Sequence, residues 1–147
     1  MLRLFIASHG SIASGIKSAL NILLGKSENV AVFDAYLDER NLKDELNKYF
    51  QSISEDDQVI MLSDLYGGSV NQIMYLFLRR PNTFLIAGIN LPLVVDLALL
   101  TKPVDLNQLK QIVLQYKDAL KLVEFIQTET KENDFFEAPN DKTTQTR

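Results

Sequence analysis

His9 is the only histidine in the chain, and it stands where the apolar run Leu2-Arg3-Leu4-Phe5-Ile6-Ala7 gives way to Ser8-His9-Gly10. A neutral imidazole has two distinct nitrogens, one a donor and one an acceptor. A carboxylate that accepts from the N–H fixes the tautomer and leaves the other nitrogen as a nucleophile. It also stabilises positive charge that develops on the ring. Asp64 is a candidate for that carboxylate, because it closes a second apolar run, Gln58-Val59-Ile60-Met61-Leu62-Ser63. Leu65-Tyr66-Gly67-Gly68-Ser69 follows directly and reads as a glycine turn into a helix. Free backbone N–H groups and the dipole at such a helix start favour an anion. Ser69 adds a hydroxyl donor, and Gly10 leaves space beside the imidazole. Together these residues suit a nitrogen that takes up a phosphoryl group and gives it away. Singly, each has a plain structural use: an exposed histidine at a strand end, a capping aspartate, a tight glycine turn.

His9 and Asp64 meet only if the two strands they end are neighbours. Residues 2–7, 30–36, 58–63 and 83–89 read as buried strands. Between them, Ile12, Ile16, Leu20, Leu23 and Leu24 recur at helical spacing, with Ser11 as N-cap and Gly25 as stop. Leu42, Leu46, Tyr49 and Phe50 mark a second helix. Ser69 caps a third, which runs to about Arg80 and is broken by Pro81. Pro92 sits near the start of a fourth, and Asp105 caps a last one with Leu106, Leu109, Ile112 and Val113 inward. Residues 119–126, Ala119-Leu120-Lys121-Leu122-Val123-Glu124-Phe125-Ile126, either continue that helix or form a fifth strand. Strand–helix alternation with short connections implies an α/β, doubly wound, mainly parallel sheet covered on both faces. The order 2-1-3-4 would set strands one and three side by side, with a crevice beyond their carboxyl ends. His9 and Asp64 then face each other across it.

The chain has 147 residues, 46% hydrophobic and 23% charged, enough for one domain with its own core. A net charge of −4 argues against nucleic acid as a partner. With no cysteine and one histidine, disulfides, thiolate metal sites and multi-histidine sites are excluded. The most apolar stretch, residues 84–100, contains Asn90, Pro92 and Asp96 and reads as strand, turn and helix, not as a membrane span. The start lacks a secretory signal, so the expected location is the cytoplasm. Residues 1–127 form the expected domain, and the polar residues 128–147 read as a disordered tail.

Ser8-His9-Gly10, Ser63-Asp64-Leu65-Tyr66-Gly67-Gly68-Ser69 with Asn71, and Gly88-Ile89-Asn90-Leu91-Pro92 resemble three signatures of the mannose-family IIA component of the bacterial sugar phosphotransferase system. The resemblance covers about residues 1–125. It implies a protein that accepts a phosphoryl group from the carrier HPr on histidine and passes it to a histidine of the IIB component. Sugar then enters through the membrane components IIC and IID. His9 matches the phosphorylated histidine, Asp64 the carboxylate that orients it, and Ser69 the serine of the glycine turn. The resemblance also implies a homodimer in which a fifth strand is exchanged, here residues 119–126. Val70 stands where the family usually carries proline, which implies a less rigid turn.

Phosphoryl transfer needs alignment and stabilisation of oxygen charge. Gly10, Gly67, Gly68 and Ser69 are the expected phosphoryl-binding residues, with no metal and no cofactor. Docking must exclude water, which makes Leu65, Tyr66 and Leu91 candidates for an apolar rim. For Asn90 and Pro92, a turn and helix start is favoured over direct chemistry. The resemblance places the protein in the cytoplasm, peripheral to the membrane through its transporter complex. With no IIB domain among the 147 residues, the expectation is a free-standing IIA protein, or a tail that serves as an interaction segment. A second reading is a regulatory protein whose His9 phosphorylation state is read by a partner. A third, a flavodoxin-like ligand-binding module, is weakened by the lack of a P-loop or GxGxxG fingerprint.

Overall fold

The computed structural model describes residues 1–127. The stretch read as a tail, 128–147, lies outside the described residues. Four apolar runs form parallel strands: β1 (Leu2–His9), β2 (Val30–Ala35), β3 (Gln58–Ser63) and β4 (Thr83–Ala87). Their order is β2-β1-β3-β4, the order assumed above for a doubly wound sheet. Successive side chains of a strand point to opposite faces. Leu4 and Ile6 of β1 therefore join Ile60 and Leu62 of β3 in one core layer, while Phe5 and Ala7 join Val59 and Met61 in the other. Every residue of β3 is buried, as expected of a central strand covered on both sides.

Helix α1 (Ile12–Leu24), α4 (Leu91–Leu99) and α5 (Leu106–Tyr116) close the first layer through Ala13, Leu20, Leu93, Val94, Leu97 and Leu109. Helix α2 (Leu42–Ser52) and α3 (Ser69–Tyr75) close the second through Leu42, Leu46, Val70 and Met74. Each fully buried side chain of this size contributes about 1.5–3 kcal/mol. Gly25 ends α1 in the left-handed conformation, φ 76°, with its N–H on Asn21 O. Asn41 caps α2, Asn90 caps α4 through Leu93 N–H, and Asp105 and Gln108 form a capping box on α5.

Several local expectations are corrected. Ser11 makes no side-chain cap; Ser8 Oγ takes the Ala13 N–H at 2.7 Å and Asp34 takes the Ser14 N–H at 2.9 Å. Gly68, not Ser69, is the N-cap of α3. That helix gives way at Leu76 to a 3-10 turn ending at Arg79, because Pro81 forces Arg80 to an extended ψ of 130°. Leu106 lies half exposed, not inward, and Ile12 and Leu23 of the first helix are half exposed as well. β2 and β4 stop before Tyr36 and Gly88. The last helix stops at Tyr116, so residues 119–126 do not continue it. They pair with no strand among the described residues, and Leu120, Leu122, Val123, Phe125 and Ile126 are exposed.

Candidate functional site

In the β1–β3 register Ala7 pairs with Ser63, so the chain leaves β3 at Asp64 beside the end of β1. One oxygen, Asp64 Oδ2, accepts the backbone N–H of His9 at 2.9 Å and lies 2.8 Å from His9 Nδ1. A proton on Nδ1 makes this a charge-assisted pair and leaves Nε2 with its lone pair. Burial pushes the Asp64 carboxyl up, but the N–H groups of His9 outweigh it and hold the carboxyl below the ordinary range. The His9 side chain is 42% exposed and that of Asp64 is 11% exposed, so the imidazole is reachable while the carboxylate paired with it is sheltered. Asp64 Oδ1 is buried without a hydrogen-bond partner among the described residues.

The glycines act differently from the sequence expectation. Gly10 has φ 57°, and a Cβ there would meet nothing within 4 Å. The position favours glycine for its left-handed backbone and not for space beside the ring. The N–H groups of Gly10, Gly67 and Gly68 are committed to Ala35 O, Asn71 Oδ1 and Leu65 O. The donors left at the start of α3 are those of its first turn, Ser69, Val70 and Asn71, which have no intrahelical acceptor. Ser69 Oγ lies 3.5 Å from His9 Nε2. Asn71 also donates to Ser63 Oγ at 2.8 Å, bracing the turn against the end of β3.

Sequence reasoning missed Tyr36. It follows β2 with φ 69°, its hydroxyl sits 2.5 Å from Ser69 Oγ, and its ring centroid is 5.3 Å from that of His9. The one available signal was its place at a strand end level with His9, since His9 pairs with Ala35. Of the expected rim, Leu65 and Tyr66 are exposed in the turn after Asp64. Leu91 instead opens onto a shallow groove with Leu23, Val95 and Leu99. Ile12 and Leu37, both exposed, follow β1 and β2 at the same end of the sheet. Among the described residues no three His, Cys, Asp or Glu side chains converge as metal ligands, and no helix is long and apolar enough to cross a membrane.

Residues 3–114 match the family model described as PTS system fructose IIA component. The chain is 22% identical over 112 residues to the PTS system fructose-specific EIIA component of Bacillus subtilis, covering 74% of this chain and 77% of that protein. It is 27% identical to the PTS IIA protein associated with the fucose utilization operon of Streptococcus pneumoniae, with TM-score 0.65 over 82% of this chain and 92% of that one. The mannose/sorbose specific IIA subunit from Enterococcus faecalis shares the fold, with TM-score 0.73 at 18% identity over 86% of this chain and 97% of that one.

Proposed function

The chain belongs to the family of PTS sugar IIA components, and from that premise we propose that it is a cytoplasmic phosphocarrier that loads on His9. The observation that carries the reading is the His9–Asp64 pair with Nε2 exposed beside Ser69. The Nε2 lone pair attacks the phosphorus of phospho-HPr. The bond from phosphorus to the donor imidazole breaks, and that imidazole keeps the electron pair. His9 retains its Nδ1 proton and becomes a cation, which the Asp64 carboxylate stabilises. Ser69 Oγ and the first-turn N–H groups of α3 face the phosphoryl oxygens. Gly10, Gly67 and Gly68 shape the loops that hold these donors in place and give up none of their own N–H groups. The second transfer reverses the roles: a IIB histidine attacks, and His9 is the leaving group. IIC and IID are engaged only indirectly.

Leu65 and Tyr66, joined by Ile12 and Leu37, form the apolar rim against which a partner excludes water. The same reading covers the second subunit. A groove of about 740 Å³ lies along β4, lined by Phe84, Ile86, Leu109 and Val113. Among the described residues β4 pairs only with β3. An unpaired edge beside an apolar groove is a liability that a strand from another subunit removes. Residues 119–126 have the apolar content for that exchange.

Incubation with phosphoenolpyruvate, enzyme I and HPr, followed by intact mass measurement, tests the carrier role. Wild type gains one phosphate, labile in acid and stable in base, and His9→Ala gains none. Phosphate that persists in His9→Ala refutes the assignment.

A further inference from the structure

Tyr36 has no part in the chemistry assigned above, yet three observations converge on it. It holds φ 69°, a conformation that a bulky side chain adopts only under constraint. Glycine or asparagine would make the same turn with less strain. Its hydroxyl meets Ser69 Oγ at 2.5 Å, which ties the end of β2 to the start of α3 across the site. Its ring lies against the His9 imidazole, tilted by 38°. The residue is nonetheless 63% exposed, so burial of apolar surface does not account for the pose. Strain held at a functional site is an observation that calls for a role.

We propose that Tyr36 is a positioning residue for the His9 phosphoryl site, an inference that rests on the phosphocarrier reading. The phenol is the stronger acid of the two hydroxyls and donates to Ser69 Oγ. That leaves the serine's own proton directed toward Nε2, 3.5 Å away, and so toward the oxygens of a phosphoryl group bound there. A free serine hydroxyl rotates among staggered positions. Accepting from Tyr36 removes the positions that would turn its proton away from the site. Hydroxyls in series also polarise one another, which makes Ser69 a better donor to developing negative charge. The tyrosine ring limits how far the imidazole tilts about the bond that Asp64 holds. Tyr36 thus acts through Ser69 and the ring and touches no transferring atom.

Tyr36→Phe removes one oxygen at an exposed position and keeps the ring. Rapid-quench phosphorylation by phospho-HPr is compared for wild type, Tyr36→Phe, Ser69→Ala and the double variant. In Tyr36→Phe the saturating rate falls about two- to tenfold, the worth of one neutral hydrogen bond. The phospho-HPr concentration for half-maximal rate stays the same, because the rim is intact. Ser69→Ala also slows transfer, and adding Tyr36→Phe to it changes nothing further. A Tyr36→Phe rate equal to wild type overturns the inference. So does an effect confined to the half-maximal concentration, or one that multiplies undiminished onto Ser69→Ala. A wild type that takes no phosphate at all is a different failure: it overturns the phosphocarrier reading, and this inference with it.

Discussion

Asp64→Asn separates the carboxylate's charge from its shape. In the wild type one oxygen accepts both the backbone N–H and the ring N–H of His9, at 2.9 and 2.8 Å. An asparagine carbonyl can take both contacts. The amide NH2 then falls where Oδ1 sits, a buried position with no partner among the described residues. Leaving that donor unsatisfied costs about 1–3 kcal/mol of stability. A domain of ordinary stability, about 5–15 kcal/mol, stays folded under that loss. Transfer suffers more, because the ring becomes cationic as the phosphoryl group arrives. A hydrogen bond to a charged partner contributes about 1.5–3 kcal/mol, against about 0.5–1.5 for a neutral one. With the neutral bond retained, the rate falls about tenfold. If the amide flips and turns its NH2 toward His9, the whole bond is lost and the fall approaches about a hundredfold. Rapid-quench loading by phospho-HPr, read by intact mass, measures the rate, and a thermal melt by circular dichroism checks the fold. A folded Asp64→Asn protein that loads at the wild-type rate would reduce Asp64 to a strand-end cap.

Two further outcomes follow from other parts of the molecule. Cutting the chain after residue 128 leaves a dimer that accepts phosphate, whereas cutting after Tyr116 leaves a monomer of lower stability by light scattering and thermal melt; a monomeric full-length protein refutes strand exchange and leaves the His9 chemistry standing. Asp57 accepts from Arg3 at 2.6 Å and pairs with the Met1 ammonium, contacts that outweigh burial and hold its carboxyl below the ordinary range. A lowered folded value means its stabilisation is complete above the unfolded value of about 3.9 and is lost as pH falls through the folded one. The urea midpoints of wild type and Asp57→Asn therefore differ at pH 7 and converge in acid; a gap that persists below about pH 2 would refute the ion-pair account.

The parallel sheet was legible because strands alternate with helices over short connections, and the order 2-1-3-4, taken as the commonest for such a sheet, is the one found. Once β1 and β3 are neighbours, His9 and Asp64 meet by register alone. The rest depends on contacts that no local pattern encodes. Ser8, in place of Ser11, takes a free N–H of α1, because the backbone turns left-handed at Gly10 and brings the strand-end hydroxyl over the helix start. The glycine N–H groups counted as free are consumed by carbonyls and an amide of the turns themselves. Tyr36 reads as the last residue of a strand until its φ is known, and its partner Ser69 lies on another element. Leu91 reads as rim from its place after β4, but helix α4 turns it toward Leu23 and Val95.

Under the proposed carrier role, the shared oxygen at Asp64 limits how far His9 moves between its empty and loaded forms. Main chain and imidazole of His9 answer to the same acceptor, so the oxygen that holds the ring is itself fixed to the end of a strand in a buried sheet. If His9 carries the phosphoryl group as proposed, the empty and loaded forms then differ in that group and its charge while the ring keeps its place. In that role, a ring already held in its reacting pose has little reorganisation to make in either transfer, so the fold favours speed in both directions.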